Sequence, residues 1–316
     1  MVPRSTERLT AVPEPVPLVR IKDLAWLAYL YPARWLSRKL PLRVSYALWD
    51  ALAWLGARCL QGPRGKLVAR LRLAFPADRD QAALERIATG HLERSILRFH
   101  DDLLLPRLQR AGALRDVQLV HREHLAGALA AGKGAMLASG HFLASRVARC
   151  YLEAIGHPSL SVRNLRPRDA AAGRLGRRFV QQRYVRFLSE SIGDEVAVQD
   201  PDCSLKMIER LRSGGLIDIH IDAAFSREIL RREFLGANYP FGVGCLHLAW
   251  LVGAPVVPLM CHGSSRRLKI EFGEPIHPEG CPDRGAFAAS ALDRILRFLE
   301  AELGAAPEEW DLWIRW

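Results

Sequence analysis

The sequence predicts an α/β protein, a layered sheet covered by helices with an amphipathic helical lead-in before it. Two observations carry this. After about residue 112, short apolar β-type runs alternate with helical segments, the pattern of a sheet whose faces are both covered. From about residue 19 to residue 110 the pattern is that of a helical lead-in.

Taken in order, residues 1–18 carry four prolines and scattered charges, including Val12-Pro-Glu-Pro-Val-Pro17, and are expected to form a flexible tail. Residues 19–110 make the lead-in. Its first apolar segment, Leu24-Ala-Trp-Leu-Ala-Tyr-Leu-Tyr-Pro32, is bounded by Asp23 and Arg34 and is too short to cross a bilayer. Its second, Val44 to Gly56, is interrupted by Asp50 and flanked by Arg43 and Arg58, so both fit interfacial amphipathic helices. From Lys66 to Arg110 the pattern is helical, broken at Phe75-Pro-Ala-Asp78, with Asp80 placed to cap a helix from Gln81. Residues 111–316 form the α/β domain, with strands expected at 117–120, 135–138, 159–162, 215–221, 254–260 and 268–272.

A net charge of +11 favours an anionic partner. The basic stretch Arg163, Arg166, Arg168, Arg174, Arg177, Arg178, Arg183, Arg186 reads either as a solvated helix face or as a set of guanidinium forks for phosphates. It lacks the aromatic ladder of a single-strand binder and fits no named nucleic-acid module, so no nucleic-acid partner is expected. The six cysteines form no C-x-x-C pair, which argues against a zinc site and a disulfide framework and for a reducing compartment. No G-x-G-x-x-G, Walker loop or G-x-S-x-G elbow is present, disfavouring dinucleotide, NTP and serine-hydrolase chemistry.

One histidine stands out. The run Gly134-Ala-Met-Leu-Ala-Ser-Gly-His141 ends a strand in Ser139-Gly140 and delivers His141 to a strand-to-helix corner, where a neutral imidazole can accept a proton from a hydroxyl. Asp218, His220 and Asp222 alternate along a later strand and so share a face, which imitates a metal site but reads better as a polar strand edge; no metal is expected. His121, His124, His91, His100, His157, His262 and His277 read as solvated surface residues.

Several segments in order are similar to one family. Arg70-Leu-Arg-Leu-Ala-Phe-Pro76, Ser139-Gly-His-Phe142, Leu211-Arg-Ser-Gly-Gly-Leu-Ile-Asp-Ile-His-Ile-Asp222, Phe234-Leu-Gly236, Gly244 through Pro258, and Pro307-Glu-Glu-Trp310 resemble the motifs of the lipid A biosynthesis acyltransferases, the lauroyl and myristoyl transferases of the bacterial inner membrane. The resemblance covers nearly the whole chain. It implies a glycerolipid-acyltransferase-like fold and transfer of an acyl group from acyl carrier protein or CoA to a hydroxyl or amine of a lipid, with His141 as base. Attachment would be peripheral or monotopic, at an anionic membrane surface on the cytoplasmic face of the inner membrane. No cofactor is required, because the thioester is already activated. An inactive lipid-binding homologue is the alternative.

The departure from the family is at Arg146, where the His-x4-Asp/Glu motif has its carboxylate. Arginine accepts no hydrogen bond and repels an imidazolium. Three readings stay open. Asp222, or secondarily Asp218, orients His141 from the neighbouring strand end. Alternatively, Arg146 binds a substrate phosphate, with Arg163, Arg166, Arg177 and Arg178 as further contacts, while His141 works alone. Otherwise the site is inactive. Backbone N–H groups near Phe142 and Leu143 are the expected oxyanion donors.

Overall fold

The computed structural model describes residues 17–75, 79–109, 114–164, 173–181, 183, 186–187, 193–223, 226 and 228–314. Most of the expected tail, Pro76 to Asp78 of the expected break, and Arg166 and Arg168 of the basic stretch lie outside the described residues.

The lead-in is helical throughout: α1 (Ile21–Ala28), a π-helical turn (Tyr29–Ala33), α2 (Arg34–Lys39), α3 (Leu42–Cys59), α4 (Gln61–Ala74) and α5 (Gln81–Leu108). Asp80 caps α5 by accepting from the Ala83 N–H at 2.6 Å, as the sequence anticipates. On α3 the usual polarity is inverted. Val44, Leu48, Leu52 and Leu55 recur at helical spacing and are about half exposed, whereas Ser45, Ala53 and Ala57 are buried. The small residues let α3 lie close against α5, leaving the apolar stripe outside.

The α/β part contains β1 (Val117–Val120), α6 (Arg122–Ala130), β2 (Ala135–Ser139), α7 (Ser145–Ala154), β3 (Ser159–Arg163), α8 (Arg174–Gly176), β4 (Glu195–Ala197), α9 (Cys203–Arg212), β5 (Leu216–His220), β6 (Ile229–Phe234), β7 (Ala237–Gly242), α10 (Gly244–Val252), β8 (Val256–Gly263), β9 (Leu268–Phe272) and α11 (Arg284–Ala305). Seven strands form one sheet in the order β1-β9-β8-β2-β5-β3-β4. Pairing is parallel everywhere except between β8 and β9, so β1 and β9 run against the other five. Every residue of β2 is buried, as a central strand covered on both faces requires. Gly134 opens β2 at φ 65°, where a Cβ would stand 2.4 Å from the Gly215 carbonyl oxygen, so only glycine brings β2 this close to the turn before β5.

The sequence does not announce the antiparallel hairpin β6–β7. Its residues Ile229-Leu-Arg-Arg-Glu-Phe are too charged for a core strand, and Pro240 fits only because the two-stranded ribbon has free edges.

Two histidines correct the surface reading. His91 and His100 are buried on the inner face of α5, where His91 Nδ1 meets the Glu308 carbonyl at 2.8 Å and His100 Nε2 meets Ser45 Oγ at 2.8 Å. Tertiary partners satisfy each ring, a signal that local sequence does not hold. Burial, assisted by Arg266, pushes the His100 imidazole down to about 4, so it is neutral in the fold. Its folded pKa lies below the ordinary 6.5, so its contribution to stability is present above pH 6.5 and is lost as pH falls toward 4. His100→Gln keeps a partner for Ser45 without a titrating group. Denaturant unfolding from pH 7 to 4 should show this variant losing less stability than wild type, by roughly 1–2 kcal/mol after solvent screening.

Candidate active site

β2 and β5 are parallel neighbours paired from Ala135 with Leu216 to Ser139 with His220. Their carboxyl ends therefore finish side by side, the usual place for a site in a parallel sheet. His141 lies two residues beyond β2, and Asp222 two residues beyond β5.

The two side chains meet. His141 Nδ1 is 2.5 Å from Asp222 Oδ1, and the His141 backbone N–H donates to Asp222 Oδ2 at 2.8 Å. The Trp310 indole N–H donates to the same Oδ2 at 2.8 Å, and the Tyr239 hydroxyl donates to the Asp222 carbonyl at 3.0 Å. Burial alone would raise the Asp222 carboxyl, but the adjacent His141 ring and these hydrogen bonds hold it down to about 2. A charged carboxylate thus faces Nδ1, an arrangement that favours the tautomer with its proton on Nδ1 and a lone pair on Nε2. Gly140 permits this approach, since a Cβ there would crowd Asp222 Oδ2 at 3.2 Å and the Phe142 ring at 3.0 Å.

His220 packs its ring against His141 with centroids 4.4 Å apart. Burial and the neighbouring His141 push its pKa down to about 3, so it adds no positive charge beside the His141 ring. Asp218 lines the same cleft and is raised by burial, but its charge partner is Arg149 first and His141 second. Asp218, His220 and Asp222 do not gather their ligand atoms as a metal site would. Among the described residues the set that does is His121, Glu123 and His124, within 4.8 Å of one another, far along the sheet on α6.

Arg146 turns away from the dyad's carboxylate and donates to Asp102 Oδ2 of α5 at 2.6 Å. Asp102 is buried, whereas Arg146 is 28% exposed and lines the cleft. The arginine therefore brings its own counter-ion, and its charge beside the imidazole is offset locally. Arg163 is likewise paired, with Glu195 Oε1 at 2.5 Å, and lines the same cleft. The Arg177 side chain lies outside the described residues, and Arg178 lines a different cavity. The basic stretch is thus divided between two places.

The cleft holds about 1130 Å³ and runs from His141 between α7, α9 and α10, with Met207, Ile219 and Leu248 on its apolar side. The thiol of Cys245, also on the cleft, is pushed up to about 11 by burial, so it offers no thiolate nucleophile at neutral pH. The oxyanion expectation for Phe142 and Leu143 is corrected. The Phe142 N–H goes to the Gly140 carbonyl at 2.9 Å and the Leu143 N–H to the Glu309 carbonyl at 2.9 Å. The cause is twofold: the tight corner turns the Phe142 N–H back onto Gly140 and Ser145 Oγ, and the C-terminal segment, bridged to Phe142 through Trp310, takes the Leu143 N–H.

Sequence reasoning singled out the segment around Trp310 but gave it no role at the site. Asp102, 44 residues before its partner, leaves no local signal at all. Because Asp102 is buried, Arg146→Glu should place like charges together and destabilise the fold by about 3–5 kcal/mol. Asp102→Leu/Arg146→Met should recover most of that loss in the same denaturant titration, whereas a fully stable Arg146→Glu would show that the pair does not hold in solution.

The sequence model of a family described as bacterial lipid A biosynthesis acyltransferase matches residues 20–316. A search of curated proteins finds no match. Among solved structures, the chain is similar to the 1-acyl-sn-glycerophosphate acyltransferase PlsC from Thermotoga maritima, at 14% identity and a TM-score of 0.42, covering 81% of this chain and 96% of that one. With the family model matched over all but the first 19 residues, the chain belongs to the bacterial lipid A biosynthesis acyltransferases and is an acyltransferase acting on lipid.

Proposed function

We propose that the protein transfers a fatty acyl group from a thioester, on acyl carrier protein or CoA, to a hydroxyl or amine of a membrane lipid or lipid precursor, with His141 as general base and Asp222 as the carboxylate that positions it. The observation that carries this reading is the His141–Asp222 contact at the mouth of the cleft. In the reaction, Nε2 takes the proton of the acceptor as its oxygen or nitrogen attacks the thioester carbonyl. The imidazolium so formed is stabilised by Asp222 and then returns the proton to the departing thiolate sulfur. Arg146, anchored by Asp102 and open to the cleft, is suited to face the developing oxyanion. Trp310 and the His141 backbone N–H would hold Asp222 in place throughout.

Peripheral residence on the cytoplasmic face of the inner membrane completes the proposal. Among the described residues, no helix is long and apolar enough to cross a membrane. The outward stripe of α3, together with exposed Trp35 and Trp54, is suited to lie in an interface, and the charge of +11 attracts both an anionic surface and an acidic carrier.

The test uses full-length protein, acyl carrier protein and CoA thioesters, and membrane lipid extract, read by lipid mass spectrometry. His141→Ala should lower turnover by on the order of a hundredfold or more. Asp222→Asn should fall nearly as far, and the double variant should be little worse than either, because the two residues act as one unit. Near-normal turnover of folded His141→Ala would exclude the mechanism, and a wild-type protein that acylates nothing would favour the inactive lipid-binding alternative.

A further inference from the structure

Part of the basic stretch faces away from the catalytic cleft. A second cavity, of about 380 Å³, is lined by Arg34, Arg178, Arg183 and Arg186 together with Tyr31, Phe179 and Phe187. None of these residues lines the cleft around His141. The cavity lies where the lead-in meets the segment after β3. The Pro17 and Leu18 carbonyls accept from the Arg174 and Leu175 N–H groups, and the Tyr31 hydroxyl donates to the Phe179 carbonyl at 3.4 Å. The buried carboxylate nearby, Asp23, is engaged with the N–H groups of Arg20 and Gly173.

Four guanidinium groups line this cavity, and among the described residues no carboxylate does. Among the described residues, Arg178, Arg183 and Arg186 make no ion pair. Two of the cations are ordered by aromatic faces: Arg34 sits 4.5 Å from the Phe187 ring centroid and Arg183 4.6 Å from that of Tyr31. A stacked guanidinium still projects its N–H donors in its own plane, past the ring edge, the geometry that grips phosphate oxygens in pairs. A phosphate monoester, near −2 at neutral pH with three terminal oxygens, matches such a cluster better than a singly charged diester. The wall also borders an apolar strip: Tyr31 and Trp35, one helical turn apart, are both exposed, as are Ile21 and Leu24.

We propose that this arginine cavity is a binding site for the phosphate monoester headgroup of a membrane lipid, separate from the catalytic cleft, which orients the enzyme on an anionic bilayer. The inference rests on the interfacial residence proposed above but not on the chemistry at His141.

The test is co-flotation of full-length protein with phosphatidylcholine vesicles containing either phosphatidic acid or phosphatidylglycerol, matched for surface charge. Wild type should prefer phosphatidic acid about tenfold, as extra charge-assisted bonds would give. Arg183→Gln/Arg186→Gln should bind both vesicles equally while keeping its affinity for phosphatidylglycerol, and His141→Ala should keep the full preference. Equal binding of wild type to the two vesicles would overturn the headgroup site while leaving membrane residence intact, and binding to neither would overturn both. A parallel calorimetric titration with inorganic phosphate separates the sources. Saturable uptake by wild type that the double glutamine variant loses, without any vesicle preference, would assign the cavity to a free phosphate and overturn the lipid assignment.

Discussion

The arrangement around the active-site corner depends on one buried carboxylate. Asp222 accepts from the His141 ring, the His141 backbone and the Trp310 indole, and it reaches them from a strand that is neither β2 nor the C-terminal segment. Such a group is costly to bury unless its bonds are complete, and here two separate parts of the chain, His141 and Trp310, complete them. The consequence is mechanical as well as electrostatic. The ends of β2 and β5, the 3₁₀ turn at Pro307–Glu309 and Trp310 are tied to a common point. The hairpin β6–β7 joins them through Tyr239, which donates to the Asp222 carbonyl.

This explains how an arginine is tolerated where the family has an acid. In the family motif the acid lies five residues after the histidine, at the position that Arg146 holds in the first turn of α7. Here Asp222, from the neighbouring strand end, faces Nδ1, and position 146 is turned to another partner, Asp102. Arg146 with Asp102 and His141 with Asp222 form two internally balanced pairs, and His220, packed on the His141 ring, stays neutral. An unpaired arginine lining the same cleft would oppose positive charge on His141; pairing with Asp102 lowers that electrostatic cost.

Much of this was legible in the sequence, and the reasons differ by element. The strands at 117–120, 135–138, 159–162 and 268–272 are apolar or alternating runs between clear breaks, so local pattern suffices. His141 was legible because Ser139-Gly140 ends a buried run at a corner. Asp222 was legible only as one of several acids near strand ends, since strand order and not spacing decides which acid meets which histidine. Pairings across long separations were not legible: Asp102 with Arg146, Trp310 with Asp222, and the burial of His91 and His100 all arise from tertiary packing. Of the expected oxyanion donors, Leu143 fails for the same reason, because Glu309, more than 160 residues later, takes its N–H, whereas the Phe142 N–H is turned back onto Gly140 and Ser145 within the corner itself. Among the arginines, sequence identified the charge but not its division between a cleft and a second cavity.

The central claim is that Asp222 fixes the tautomer of His141, leaving Nε2 to accept the proton. Nitrogen-15 NMR of histidine-labelled protein, with His141 assigned by comparison with His141→Ala, reports this directly. The account predicts that neutral His141 carries its proton on Nδ1 and that Asp222→Asn redistributes it between the two nitrogens. A His141 protonated on Nε2 in the wild type, or a tautomer unchanged by Asp222→Asn, would contradict it.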